Sequence, residues 1–233
     1  MKAIINIRLK QVYEYLSKHY RLILVSAAPF VFLYYFLGNI LISPANDEGL
    51  VYFLIADVIL SFIYMGSLVT VMIFVMDNMD QQHVINTERL KFFKKNILPV
   101  TWAVVIVMFF TYIGLILLII PGLYIFSRLA CVPLLVSLDK VKFINAIDLS
   151  FTFSKSYAWP MVFCLVIISA IPFYFGSLLA LVNIGIAGFI GTIIISLTYL
   201  VNIILVYHFY RDIKKDMIEA YKQKLLINPD NPQ

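Results

Sequence analysis

The chain has 233 residues, of which 62% are hydrophobic and 13% are charged, and its formal net charge is +5. A soluble domain usually carries about 25% charged residues, so this chain lacks the polar side chains that a water-facing surface requires. The composition excludes disordered, collagen-like and disulfide-rich classes and indicates an integral membrane protein. The two cysteines, Cys131 and Cys164, lie inside apolar runs without the spacing of a metal or redox motif.

The first 21 residues predict an amphipathic helix at the membrane interface and not a secretory signal. Charges are spread throughout "MKAIINIRLKQVYEYLSKHYR", which has no continuous apolar core. Apolar side chains recur at helical spacing and would share one face of such a helix. They are Ile5, Leu9, Val12, Leu16 and Tyr20.

The apolar runs divide into six predicted membrane spans, because a span needs roughly 20 apolar residues to cross about 30 Å of hydrocarbon. Residues 96–138 contain one charge, Arg128, and residues 156–210 contain no Asp, Glu, Lys or Arg. Each run is at least about twice as long as one span and must fold back. We place the first hairpin turn at Pro121 and Gly122, the strongest turn signal in its run, and the second within "VNIGIAG". The predicted spans are 22–42, 50–76, 99–120, 123–138, 158–181 and 187–210.

The distribution of positive charge predicts the orientation of these spans. Of the 18 lysine and arginine residues, all except Arg128 fall on one side of the six-span arrangement, and the other side carries only Asp47 and Glu48. Positive residues concentrate on the cytoplasmic side of membrane proteins, so we expect both termini to be cytoplasmic. The predicted interface anchors on that side are Trp102, Trp159, Lys18, Lys94 and Lys155.

The basic segments indicate a repeated unit. Each span that starts on the predicted cytoplasmic side follows an amphipathic segment, and these segments end in "SKHY", "FKKN" and "SKSY". The predicted fold is therefore all-α, with six transmembrane helices in three hairpins and a cytoplasmic amphipathic helix before each hairpin. Basic amphipathic loops are also ordinary in inner-membrane proteins, so the short identities fit unrelated loops as well. The predicted units are an interfacial helix at 1–21, a membrane domain at 22–210 and a cytoplasmic tail at 211–233.

Two longer stretches carry a family resemblance. One is "PGLYIFSRLACVPLLVSLDKVKFINAIDLSFTFSKSYAWP", followed by a hairpin and "ILVYHFYRDIKK", and the other is "VYEYLSKHYRLILVSAAPFVFLYYFLGNI". The sequence resembles the YciC-like family of bacterial inner-membrane proteins, which is similar to the membrane domain attached to some glycerophosphodiester phosphodiesterases. The resemblance implies a polytopic helical fold in the cell inner membrane and no catalytic residue. The positions that carry it are Pro121, Gly122, Pro133, Ala146 and Ser150.

Asp57 and Arg128 are the only Asp, Glu, Lys or Arg residues well inside the predicted spans. An ionisable residue inside a membrane is a functional-site hypothesis by default. Both would lie roughly 9–12 Å from the outer face, at 1.5 Å of helix per residue, so we predict a candidate carboxylate–guanidinium pair. Alternatively, Arg128 extends to the outer headgroups and Asp57 is protonated, and even a formed pair would serve only helix packing.

The sequence lacks the motifs of common catalytic sites. It contains no phosphate-binding loop, no GxSxG and no HExxH, so we expect neither an enzyme nor a cofactor nor a metal site. Asp77, Asp80 and His83 recur at steps of three, a pattern more typical of a solvated helix end than of metal ligands.

Two functions are consistent with these features. The first is a non-enzymatic integral inner-membrane protein that organises the membrane through lipid or partner-protein contacts, with its basic segments bound to anionic headgroups of the bilayer at the cytoplasmic face. The alternative is a small transporter of a solute, ion or lipid that uses a polar site near Asp57 and Arg128. The net positive charge follows from the topology, so nucleic acid is not an expected partner.

Overall fold

The computed structural model describes the backbone of residues 1–41, 50–77, 86–181 and 186–227, and the side chains of slightly shorter ranges. These ranges contain helices and turns, and no strand occurs in them. The helices are α1 (Lys2–Leu41), α2 (Leu50–Asp77), α3 (Asn86–Leu117), α4 (Ile119–Leu129), α5 (Val132–Ser137), α6 (Phe143–Phe153), α7 (Ala158–Leu181) and α8 (Ile186–Ile227).

Six helical segments of the described chain are long and apolar enough to cross a membrane. The predicted all-helical fold is confirmed for the described residues, and the number of such helices equals the number of predicted spans. The segments are Lys2–Gly38, Ile55–Asp77, Lys91–Leu117, Ile119–Ser137 (α4 and α5 together), Ala158–Leu179 and Ala187–Ala220.

Two of the three predicted amphipathic segments are not separate helices. Helix α1 joins the predicted interfacial segment at 1–21 to span one without a break, and α3 begins well before residue 99. Helix α8 likewise continues into the predicted tail at 211–233. No proline or glycine lies at the 21–22 or 210–211 boundary, so the chain has no local signal that would end a helix there. Only the third segment forms its own helix, α6.

The reversal between α3 and α4 occurs at Leu118 and not at the predicted Pro121 and Gly122. Leu118 is extended, with φ −165° and ψ 144°, and α4 begins at the next residue. Pro121 falls in the first turn of α4, where a missing N–H removes no helical hydrogen bond. Gly122 permits close packing, because a Cβ atom there would lie 2.5 Å from the backbone nitrogen of Leu115. The Pro-Gly pair thus shapes the start of α4.

The fourth span, predicted as one helix at 123–138, is divided into two. Helix α4 ends at Leu129 and α5 begins at Val132, with Pro133 in its first turn. Proline has no N–H to donate to the carbonyl of Leu129, and its ring clashes with that carbonyl in a continuous helix. The break after Leu129 is the physical consequence.

The interior and the outer surface of the bundle are both apolar. Phe209, Leu68 and Met72 belong to the largest fully buried side chains, at the centre where α2, α7 and α8 meet their neighbours. The outer surface presents large apolar side chains as well, with Ile116 84% and Ile171 79% exposed. A surface of this kind suits lipid as the solvent.

The contact between α3 and α4 generates a prediction. Gly122→Ala should lower the free energy of unfolding by about 1–3 kcal/mol, because the added methyl group meets the backbone of Leu115. Gly38→Ala is the matched control, since nothing lies within 4 Å of a Cβ atom at that position, and it should stabilise α1 by about 0.5–1 kcal/mol. The measurement is unfolding in mixed micelles followed by circular dichroism. Equal effects of the two substitutions would contradict the close approach.

Candidate functional site

Charged and polar side chains from five segments meet at one end of the bundle, which we call the charged end. It joins the starts of α1 and α3, the α5–α6 and α6–α7 connections, and the C-terminal part of α8. The basic segments predicted to share one side of the membrane therefore contact one another. The contacts are Arg8–Asp212, Tyr157–Asp216, Tyr210–Asp139, Lys214–Asp139 and Lys140–Asn96.

Arg8 connects α1 to α8 within the charged end. Its side chain is 12% exposed and forms an ion pair with Asp212. Its Nη1 donates to Gln11 Oε1 at 2.6 Å, and its guanidinium carbon lies 5.4 Å from the centre of the Phe209 ring. The Asp212 side chain is 22% exposed, so the pair is only partly buried. It joins α1 to α8 at one defined position.

Two tyrosines complete the connections to α8. The Tyr157 hydroxyl donates to Asp216 Oδ2 at 2.9 Å. Burial, followed by this bond to a carboxylate, raises the pKa of Tyr157, so the hydroxyl stays a donor at neutral pH. The Tyr210 hydroxyl donates to Asp139 Oδ2 at 2.5 Å, and Lys214 pairs with the same carboxylate. Helix α8 is thereby fastened to the connections on both sides of α6.

The Arg128 guanidinium is buried between α4 and α6. Arg128 is 6% exposed, its Nη1 donates to the Tyr124 hydroxyl at 2.7 Å, and its Nη2 donates to the Phe151 carbonyl. The guanidinium carbon lies 4.3 Å from the centre of the Phe151 ring, a cation–π contact worth about 2 kcal/mol when desolvated. We call this arrangement the Arg128 clamp, because it fastens α6 to α4.

The backbone of Arg128 is held by α6 as well. Its carbonyl oxygen accepts hydrogen bonds from the Ser150 hydroxyl at 2.6 Å and the Ser154 hydroxyl at 3.2 Å. The last carbonyls of a helix have no partner within that helix, and both serines are fully buried. Two hydroxyls of α6 thus satisfy a carbonyl at the end of α4.

The predicted ion pair between Asp57 and Arg128 does not form in the structure. Among the described residues, no carboxylate pairs with Arg128. Asp57 is half-buried on α2, one helical turn before Ser61. The depth of Arg128 was counted from Gly122, six residues away, whereas the chain reverses at Leu118, ten residues before Arg128. The docking of α6 then supplies other partners for the guanidinium.

Near Asp57, hydroxyl side chains from three helices form a polar layer, which the positions of the charged residues alone did not predict. The Tyr34 hydroxyl is 3.1 Å from Ser61 Oγ, and the Tyr34 and Tyr64 rings stack at 4.3 Å. The Tyr64 hydroxyl also bonds to the Ser196 hydroxyl. This layer joins α1, α2 and α8, which is a common use of hydroxyl groups between membrane helices. The signal available in the sequence was Ser61 and Tyr64, one helical turn apart in an apolar run.

An apolar cavity of about 120 Å³ lies between α2, α3, α8 and the broken fourth span. The break contributes Ala130 and Pro133 to its wall. Among the described residues that line the cavity, only Tyr199 and Asn202 carry a polar side chain, and the Asn202 carbonyl oxygen accepts a hydrogen bond from Ser169 at 2.7 Å. The arrangement suits a hydrocarbon chain better than a hydrated solute.

The predicted interface anchors are accessible. Trp102 is 59% and Trp159 is 45% exposed, and Lys18, Lys94 and Lys155 are exposed. The Trp159 ring also lies 5.6 Å from the ring of Tyr124, which places it beside the Arg128 clamp. Their anchoring of the bilayer interface stays a prediction.

The run that contains Asp77, Asp80 and His83 is only partly described. Asp80 and His83 lie outside the described residues, and Asp77 is exposed at the end of α2. Within the described ranges, no group of three or more His, Cys, Asp or Glu side chains has an arrangement that could hold a metal ion. Cys131 and Cys164 are buried free thiols, as expected for packing residues.

Comparison of this chain with protein-family models, curated proteins and solved structures finds no match. The YciC-like resemblance therefore stays a prediction from the residues quoted for it. Of those residues, Ala146 and Ser150 are fully buried on α6, and Pro133 lies at the break in the fourth span.

The Arg128 clamp generates a prediction that separates it from the ion pair. Arg128→Gln should lower the free energy of unfolding by about 1.5–3 kcal/mol, because a charge-assisted hydrogen bond is lost. Its effect should add to that of Asp57→Asn within about 0.5 kcal/mol, since the two side chains do not meet. Tyr124→Phe is the matched control and should couple to Arg128→Gln, because the Tyr124 hydroxyl accepts from Nη1. The measurement is a pair of double-mutant cycles in mixed micelles, and coupling only in the Asp57 cycle would contradict the clamp.

Proposed function

We propose that this chain is a non-enzymatic integral membrane protein that binds phospholipid, with an acyl chain in the apolar cavity and anionic headgroups at the charged end. The observation that carries the proposal is the apolar cavity between membrane-spanning helices. A lipid acyl chain is the apolar ligand that surrounds such helices in a bilayer, and van der Waals packing against the cavity wall would hold it there, because transfer from the surrounding lipid gives no hydrophobic gain. The basic side chains gathered at the charged end attract anionic headgroups.

We assign the charged end to the cytoplasmic side of a bacterial cell inner membrane. Contacts between the N-terminal part of α1 and the C-terminal part of α8, such as Arg8–Asp212, support a common side for both ends of the chain. The excess of basic residues supports the cytoplasmic side, and three helical hairpins would cross the bilayer. The resemblance to the YciC-like family supports the bacterial inner membrane.

The alternative function is transport of a small solute, ion or lipid. The polar layer beside Asp57 favours it, because hydroxyl groups that cross a bundle can form part of a polar path. The apolar lining of the cavity and the engagement of Arg128 with α6 favour lipid binding. We therefore rank transport second.

Filling the cavity should reduce lipid binding. Val69→Phe places a larger side chain in the wall of the cavity and should weaken retention of phospholipid by about five-fold, because two displaced methylenes would lose about ten packing contacts worth about 0.1 kcal/mol each. Native mass spectrometry of the protein in mild detergent measures the retained lipid. Val166→Phe is the matched control, because Val166 is 43% exposed on the outer surface of α7. Equal retention by Val69→Phe and the control would contradict acyl-chain binding in the cavity.

A flux assay separates the two functions. Proteoliposomes of the wild-type chain should show no flux above empty liposomes for protons, alkali cations, chloride and small neutral solutes. The Asp57→Asn and Arg128→Gln variants should behave in the same way. Flux through the wild-type chain that is abolished in both variants would contradict the lipid-binding function and would support transport.

A further inference from the structure

A second, polar cavity of about 290 Å³ opens between the end of α2, the first turns of α3 and the α5–α6 connection. Basic and polar side chains dominate its wall, and we call it the basic cup. It shares no lining residue with the apolar cavity. The side chains that define it are Lys91, Lys95, Asn96, Ser137 and Lys140, with Asp77 at its edge.

The charges of the basic cup are unbalanced. Three ammonium groups face one carboxylate among the described residues that line it, which leaves a net charge of +2. Lys91 and Lys95 are exposed, and among the described residues no hydrogen bond or ion pair to either amine is found. Burial, followed by the positive charge of Lys95, lowers the pKa of Lys140, while Asp77 acts in the opposite direction. An anion in the basic cup would relieve this repulsion.

Lys140 is held in place before any ligand arrives. Its backbone has φ 55°, in the left-handed region that a side chain such as lysine rarely adopts. Its Nζ donates to Asn96 Oδ1 at 2.9 Å and to the Ser137 carbonyl. An ammonium group has three N–H donors, so one remains after these two bonds. An unusual backbone conformation that positions a charged side chain favours a functional role for it.

Ser137 supplies a second, independent observation. The residue is fully buried in the wall of the basic cup, and its hydroxyl has no hydrogen-bond partner in the described part of the chain. Buried hydroxyl groups are normally hydrogen-bonded, since burial without a partner is unfavourable. An oxygen atom of a ligand in the basic cup would satisfy this donor.

We propose that the basic cup binds a phosphomonoester group, with Lys91, Lys95 and Lys140 neutralising its charge and the Ser137 hydroxyl donating to one of its oxygens. A phosphomonoester carries about −1.5 to −2 charges at pH 7 and has three strong acceptor oxygens, which matches the net charge of +2. Lysine binds phosphate as a point charge. The group has two sources, the headgroup of a lipid such as phosphatidic acid or a water-soluble phosphate. The inference rests on the proposed function only for the lipid source.

The experiment uses the full chain in nanodiscs of three compositions. One contains phosphatidylcholine with phosphatidic acid, one contains phosphatidylcholine with phosphatidylglycerol, and one contains phosphatidylcholine alone with inorganic phosphate in solution. Lipid retention is measured by native mass spectrometry, and phosphate binding is measured by calorimetry. The test variant is Lys91→Gln with Lys95→Gln, because both side chains are exposed and their replacement leaves the internal contacts of the fold intact. The matched control is Lys2→Gln with Lys215→Gln, which removes the same charge from exposed positions that neither line the basic cup nor belong to the predicted anchors.

We expect wild-type chain to retain phosphatidic acid in preference to phosphatidylglycerol, and the test variant to lose this preference by about ten-fold while the control keeps it. Binding of inorganic phosphate that only the test variant loses would also support the basic cup and would identify the soluble source. Ser137→Ala should weaken the same binding. Equal binding by wild type, test variant and control, for both sources, would overturn the inference.

Because Val69→Phe alters only the apolar cavity, an intact preference in that variant separates failure of acyl-chain binding from failure of the basic cup.

Discussion

The arrangement of the second half of the molecule depends on the contacts of the Arg128 guanidinium. A permanent cation inside an apolar bundle must find partners within the protein, since neither lipid nor water is available to it there. Helix α6 supplies them, with the Phe151 carbonyl and ring on the guanidinium and two serine hydroxyls on the backbone of the same residue. Among the described residues, the charge therefore contacts dipoles and aromatic faces rather than a carboxylate, and the buried Nε has no hydrogen-bond partner there. These contacts hold α6 against the fourth span, which is divided into two helices at Pro133.

The same constraint separates the molecule into an apolar body and a charged end. Side chains that pair across the charged end, such as Arg8 with Asp212 and Lys214 with Asp139, join elements that are distant in the sequence. Their contacts close the bundle at that end, while the body is held by apolar packing and by the hydroxyl bonds of the polar layer. Most of the basic side chains lie at one end, where they would attract anionic headgroups as we propose.

The spans could be predicted from the sequence because length and hydrophobicity alone decide them. The exact ends could not be predicted, since a continuous helix crosses the membrane interface at residues 21–22 without any change in backbone preference. The turn was placed at Pro121 and Gly122 because proline and glycine favour turns, whereas Pro121 is also compatible with the first turn of a helix. The hydrogen-bond partner of Arg128 could not be predicted from the sequence for a different reason. A main-chain carbonyl on α6 has no signature in the side-chain sequence, so matching opposite charges pointed to Asp57 instead.

Helix α5 connects the two sites that follow from this architecture. Its first residues, Pro133 and Leu134, line the apolar cavity, and its last residue, Ser137, lines the basic cup. The helix has six residues, so one short element contributes to the walls of both cavities. The short stretch from Pro133 to Lys140 thus contributes to two cavities of different chemistry, one apolar and one lined by basic side chains.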